Sequence, residues 1–128
     1  MPIHRREDQT AALLESNNGG PIRMVNLQKF REFADYGDGE DKTISGREAY
    51  GRYGAEVVKL INKVGGRVVF SGEFRMLVIG DGELEWDMIS IAEYPSVATF
   101  LSMTSSEEYK KIHVHRAAGL AHQLLLQC

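Results

Sequence analysis

An α+β fold is predicted by three features of the 128-residue chain. Strand-like alternation and helix-like stripes take turns along it, glycine and proline stand where one gives way to the other, and the apolar content suits a single core. Hydrophobic residues make up 43% of the sequence, and a chain this short builds one compact core more readily than two. The expected organisation is an N-terminal helical arm over residues 1–21 and one domain over residues 22–128.

The elements follow in order. Good helix formers from Glu7 to Ser16 end at Asn17-Asn18-Gly19-Gly20-Pro21, which stops a helix. "IRMVNLQKF", Ile22 to Phe30, alternates Val25 and Leu27 with Met24 and Asn26 and reads as the first core strand. "REFADYGDGEDKTI" has glycines, acidic residues and no sustained period, and reads as a long mobile loop. Ser45 and Glu48 then form a capping box for a helix whose buried stripe is Tyr50, Tyr53, Gly54, Val57, Ile61 and Val64. Gly65-Gly66 ends it.

The run from Arg67 to Tyr94 reads as two strands joined by a turn at Gly80-Asp81-Gly82-Glu83, with Gly72 allowing a bulge or the close approach of another group. Pro95 stops the second strand and Ser96 caps a helix containing Val97, Phe100 and Leu101. A further helix starts near Ser105 or Ser106, with Ser105 and Glu108 as its capping box, and runs toward Gly119. "LAHQLLLQC" returns as the last strand.

Apart from the leading helix, the order is β-α-β-β-α-β, the ferredoxin-like layout: an antiparallel sheet with its helices on one face. Val25, Leu27, Val68, Phe70, Ile89, Ile91, Leu124 and Leu126 form one strongly apolar set across the strands, whereas Met24, Asn26, Ser71, Ser90 and Gln123 form a mixed one. Helices can cover only one face. A second copy of the chain is the expected cover for the other, giving a homodimer through sheet packing.

The segments "RMVNLQKF", "SGREAYGRYG", "GGRVVFSG", "EWDMISIAEYPS" and "SSEEYKKIHVHRAAGL", in this order from Gly20 onward, resemble a domain-of-unknown-function family within the dimeric α/β-barrel superfamily. That resemblance implies a ferredoxin-like protomer paired into a dimeric α/β barrel. The superfamily includes cofactor-free oxygenases, isomerases and haem-degrading proteins, and the resemblance transfers none of these activities. It marks Asn26, Tyr50, Tyr53, Trp86, Asp87, Tyr109 and Arg116.

Composition narrows the partners. Fifteen Lys and Arg against eighteen Asp and Glu leave a net charge of −3, which exerts no general pull on nucleic acid or an anionic membrane. No apolar run approaches the ~20 residues that cross a bilayer, and the N-terminus is too polar for a signal peptide, so a cytoplasmic location is expected. Cys128 is the single cysteine, which excludes a disulfide within the chain.

The candidate ligand-binding residues are Asn26, Tyr50, Tyr53, Trp86, Asp87 and Arg116. Asn26 places an amide in an apolar strand, where it needs a partner, either a ligand or the backbone. Tyr50 and Tyr53 lie almost one helical turn apart and can edge a cavity or simply pack with their hydroxyls reaching water. Trp86 and Asp87 point to opposite sides of a regular strand. Asp87 is expected to pair with Arg116, or either of them to contact a ligand. His113 and His115 share no helical face and no metal constellation is recognisable, so no metal and no cofactor is expected; nucleotide-binding glycine fingerprints are missing as well. The expected function is binding of a small, partly apolar molecule between sheet and helices, with cofactor-independent oxygenase- or isomerase-like activity as one form of it. The alternative is a noncatalytic structural or protein-interaction dimer module.

Overall fold

The structure, a computed structural model, describes residues 3–82 and 86–128. Its elements are α1 (Glu7–Glu15), β1 (Ile22–Phe30), β2 (Phe33–Asp35), β3 (Glu40–Ser45), α2 (Gly46–Lys63), β4 (Arg67–Glu73), β5 (Met88–Tyr94), α3 (Val97–Thr104), α4 (Glu107–Gly119) and β6 (Leu120–Gln127). β4, β5, β1 and β6 form one sheet in that spatial order, every neighbouring pair antiparallel. This is the ferredoxin-like α+β arrangement, with an extra N-terminal helix.

Alternation decides what each face carries. Ile22, Met24, Gln28 and Phe30 of β1 and Ala92 and Tyr94 of β5 turn toward the helices and are buried there. They close on Tyr50, Tyr53, Val57 and Ile61 of α2, Val97, Phe100 and Met103 of α3, and Leu120. Val25, Leu27, Ile89, Ile91, Leu124 and Leu126 turn the other way, register partners on the bare face of the sheet. Leu124 and Leu126 are 42% and 47% exposed, and Phe70, beside Ile91, is 53% exposed, so none of the described elements covers this face fully.

Four expectations change. The stretch after β1 is not a loop: β2 and β3 pair as a small second sheet. Ala34, fully buried, packs there with Ala49 and Ala118. The β4–β5 hairpin is shorter than its strand-like composition suggests, since β4 ends at Glu73 and Met76, Val78 and Ile79 are exposed; of the expected turn, Glu83 lies outside the described residues. A register shift at Val69 places Val68 opposite Ala92, on the helix side, and Phe70 opposite Ile91, so these two do not share a face. Ser106 rather than Ser105 caps α4, its hydroxyl accepting from the Tyr109 N–H at 3.1 Å. Gly72 does allow a close approach, because a Cβ there would stand 2.9 Å from the Phe70 ring.

The start of α2 and the end of α4 meet at glycines. The Gly46 N–H donates to the Arg31 carbonyl at 3.1 Å and the Arg31 N–H to the Gly119 carbonyl at 2.8 Å. A Cβ on Gly119 would lie 2.4 Å from the Gly46 carbonyl oxygen and 2.7 Å from the Tyr50 nitrogen. Backbone touches backbone here, which no larger residue permits.

Candidate functional site

A cavity of about 980 Å³ lies between the helix-side face of the sheet, α3, α4 and the N-terminal arm. Met24, Asn26, Gln123 and Leu125, from β1 and β6, line the sheet side. Tyr53, Tyr94, Phe100 and Met103 supply the apolar walls. Tyr109, His113 and Arg116 recur along α4 at intervals of four and three, which places them on one stripe facing the cavity. Ile3, His4, Arg5 and the first turns of α1 border it from the arm.

A chain of hydrogen bonds crosses the cavity. The Arg116 guanidinium donates from Nη2 to Gln123 Oε1 and to the Ile3 carbonyl. Gln123 Nε2 donates to Asn26 Oδ1 at 2.7 Å, and Asn26 Nδ2 donates to the carbonyls of Met24 and Ser90 at 3.2 and 3.3 Å. Behind this chain, fully buried Gln28 donates from Nε2 to the Tyr50 hydroxyl at 2.8 Å and to Ser90 Oγ at 3.0 Å. Its Oε1 is buried with no partner among the described residues. The Tyr53 and Tyr109 hydroxyls are hydrogen-bonded to each other at 3.0 Å, with either able to donate.

Burial sets the protonation states. It pushes the Tyr50 phenol up to about 12 and raises Tyr53 and Tyr94 as well. Near neutral pH these phenols keep their protons and do not serve as bases. The His4 and His113 rings stack with centroids 5.3 Å apart, their planes 27° from parallel. Desolvation first, and then the Arg116 charge, hold both imidazoles below their ordinary pKa, with the His4–His113 repulsion acting further on His113. Both are neutral at pH 7.

These two rings help tie the arm to α4, with Arg116 beside them, Arg5 and Lys110 along the same cavity and the Tyr109 ring next to His113. Because docking lowers their pKa, the free arm binds protons more readily than the docked one. The histidines' contribution to docking is therefore fully present above their ordinary pKa of about 6.5 and is lost as the pH falls from there through the depressed values. The protection of the amides over residues 3–15, measured against their intrinsic exchange rate at each pH, should fall between pH 7.5 and 5.5; unchanged protection would remove the histidines from the contact.

Of the predicted site residues, Asn26, Tyr53 and Arg116 line one cavity and Tyr50 stands a layer behind, joined through Gln28. Trp86 and Asp87 lie elsewhere: the Trp86 ring meets His122 edge-on at 6.0 Å. The Asp87–Arg116 pair does not form. The β1–β6 register shifts between Lys29 and Phe30, and Asp87 Oδ2 accepts the Phe30 N–H at 2.9 Å, with Lys29 Nζ 3.6 Å from Oδ1. A bulge leaves a backbone donor off the ladder and the nearest carboxylate takes it. Gln28, Gln123, His4 and His113 were missed as site residues. The signal for Gln28 was available, since it shares its strand face with Met24 and Asn26.

A four-stranded antiparallel sheet in the order β4-β5-β1-β6, with helices on one side, a cavity beneath them and a bare apolar face opposite, places the chain in the class of ferredoxin-like α+β proteins. Within that class the chain belongs to the family described as Domain of unknown function (DUF1330), whose model matches residues 40–126. It is similar to a protein of unknown function from Rhodopseudomonas palustris at 35% identity, over 98% of this chain and 94% of that one, with a TM-score of 0.88. A dimeric ferredoxin-like protein of unknown function from Bacteroides fragilis shares the fold at 13% identity (85% and 95% covered, TM-score 0.54). So does the hydroxynitrile lyase from Passiflora edulis, at 12% identity (86% and 93% covered, TM-score 0.58). Among curated proteins none matches. No helix among the described residues is long and apolar enough to cross a membrane.

Proposed function

We propose that the chain is a homodimer that binds a small, partly apolar molecule in the cavity between sheet and helices, with residues 1–21 as a closing arm and residues 22–128 as the binding domain. The observation that carries this is the polar chain Arg116–Gln123–Asn26 laid across a cavity whose walls are aromatic and aliphatic, the usual composition of a ligand pocket. The dimer half of the proposal is supported by the bare apolar sheet face and by the fold's occurrence in proteins described as dimeric. A purely structural module has no use for a ligand-sized interior, and this favours binding over the noncatalytic alternative.

Within the cavity, Asn26 and Arg116 orient the ligand's polar end, Tyr53 and the apolar walls hold its body, and Tyr50 acts through Gln28. Catalysis without a cofactor, of isomerase or oxygenase type, would use His113 as a neutral proton acceptor and the Arg116 fork to hold developing negative charge. Trp86 and Asp87 have no contact with this cavity and are assigned to the strand end they brace.

The test is a fragment screen on the full chain by ligand-observed NMR. Hits should compete for one site and weaken about tenfold in Asn26→Ala, the loss of one hydrogen bond to a buried polar group. They should vanish in Thr104→Trp, which fills the cavity from α3. Hits that ignore both substitutions, in proteins with unchanged thermal melting, would end the proposal.

A further inference from the structure

We infer that the molecule this cavity takes is an organic monoanion, a carboxylate on an apolar body, whose charge sits on Arg116. The inference rests on the small-molecule function proposed above and specifies its ligand class.

The first support is the sign of the cavity. Its described lining holds four cationic side chains, Arg5, Arg6, Lys110 and Arg116, and neither an Asp nor a Glu. The chain as a whole is acidic, at −3, so this is a local reversal of charge and not a reflection of composition. Two of the four are compensated from outside the lining: Arg6 by Asp8 at 3.0 Å and Lys110 by Glu107 at 3.2 Å. Arg5 and Arg116 have no carboxylate partner among the described residues; Arg5 reaches only Thr10 Oγ1 at 3.4 Å and the Phe100 ring at 5.6 Å.

The second support is what Arg116 touches. A half-buried guanidinium is costly to keep without a counter-charge. Its two acceptors here are both neutral, the Gln123 amide oxygen and the Ile3 carbonyl. Gln123 is fixed in turn by Asn26, so that contact belongs to the site itself. The Ile3 oxygen comes from the arm and stands where a ligand oxygen would accept a charge-assisted bond. A planar carboxylate matches the guanidinium fork and gives the stronger bond.

The third support limits the ligand to one charge and a hydrophobic remainder. Of the two cations without a carboxylate partner, Arg5 is exposed and Arg116 alone is half-buried, while the surroundings are Met24, Tyr53, Tyr94, Phe100 and Met103. A multiply charged ligand would bring charge against these apolar walls without a partner.

The experiment uses the full-length protein and three matched pairs: phenylacetate, hexanoate and cyclohexanecarboxylate, each with its primary amide, titrated by calorimetry at pH 7.5 and low salt, with acetate as the charge without the body. At least one acid should bind about tenfold or more tightly than its own amide and than acetate, the factor a charge-assisted hydrogen bond supplies over a neutral one. That ratio should collapse toward one in Arg116→Gln. If Arg116→Gln does not fold, the wild-type ratio still decides, and Arg5→Gln should reduce it. Amides that bind as tightly as their acids would overturn the anion inference while leaving a small-molecule cavity standing. If no acid and no amide binds, the cavity itself is not a ligand site and both fall together. Acetate binding as well as the three acids would show a surface ion site and overturn the inference too.

Discussion

Gly119→Ala should lower the unfolding free energy by about 3 kcal/mol, the upper range for forcing extra volume into a packed interior. The added methyl would stand 2.4 Å from the Gly46 carbonyl oxygen and 2.7 Å from the Tyr50 nitrogen, both backbone atoms that no rotamer change can move aside. Relief requires α2 and α4 to part, which stretches the Arg31–Gly119 hydrogen bond and opens the Ala34, Ala49 and Ala118 cluster beside it. A urea titration should show a lower midpoint with an unchanged slope. Gly51 is the control. It lies in α2 with open space around its Cβ position, so Gly51→Ala should stabilise by about 0.5–1 kcal/mol through helix propensity alone. Equal effects from the two substitutions would mean that the helices do not touch where the structure brings them together.

Leu124→Lys combined with Leu126→Lys should convert the proposed dimer to a monomer. Both side chains project from β6 onto the bare sheet face and remain nearly half exposed in the single chain. A two-fold interface repeats each change, so four buried leucines become four cations around one axis. Losing about 1.5–3 kcal/mol for each leucine weakens the dimer at least a thousandfold, before any cost of confronting like charges. Sedimentation at micromolar concentration should show one species at twice the chain mass for the wild type and one at the chain mass for the variant. A wild-type monomer, or a variant dimer of undiminished strength, would show that the sheet face is not where two copies meet. Leu125, the intervening residue, pairs with Asn26 on the helix side of the sheet and lines the cavity, so Leu125→Lys should spare the dimer and disturb ligand binding.

The fold was legible where local pattern and tertiary environment agree. β1 runs from Ile22 to Phe30 as its alternation requires, α2 begins at the Ser45 cap, and the helix break at Ser105 and Ser106 falls within a residue of its predicted place. Where they disagree, the sequence misled. β2 and β3 have weak strand composition, and Ala34 packs in a small-residue pocket formed by the adjoining α2 and the distant α4, which no local period encodes. The Met76–Ile79 run carries strand-like residues beyond the last rung of β4.

The site divides the same way. Asn26, Tyr53 and Arg116 could be named because each is conspicuous alone: an amide in a hydrophobic strand, a phenol on a buried stripe, a guanidinium late in a helix. The partnership of Arg116 with Gln123 crosses the turn from α4 into β6, and the stacking of His4 on His113 joins the two ends of the chain. Asp87 misled for a related reason. Its true partner is a backbone N–H exposed by a register shift, and backbone donors leave no trace in side-chain chemistry.

Helix α1 has no buried side chain. Detaching it forfeits the packing of Leu13 on the edge of the core and a few polar contacts but removes no fully buried residue, so it swings away at a small fraction of the free energy that unravels the sheet. If the cavity binds as proposed, molecules come and go at a pace governed by this flap alone. Engineering a more heat-resistant domain would then leave exchange with solvent as fast as before, while a single staple between the flap and α4 would slow it severely at unchanged melting temperature.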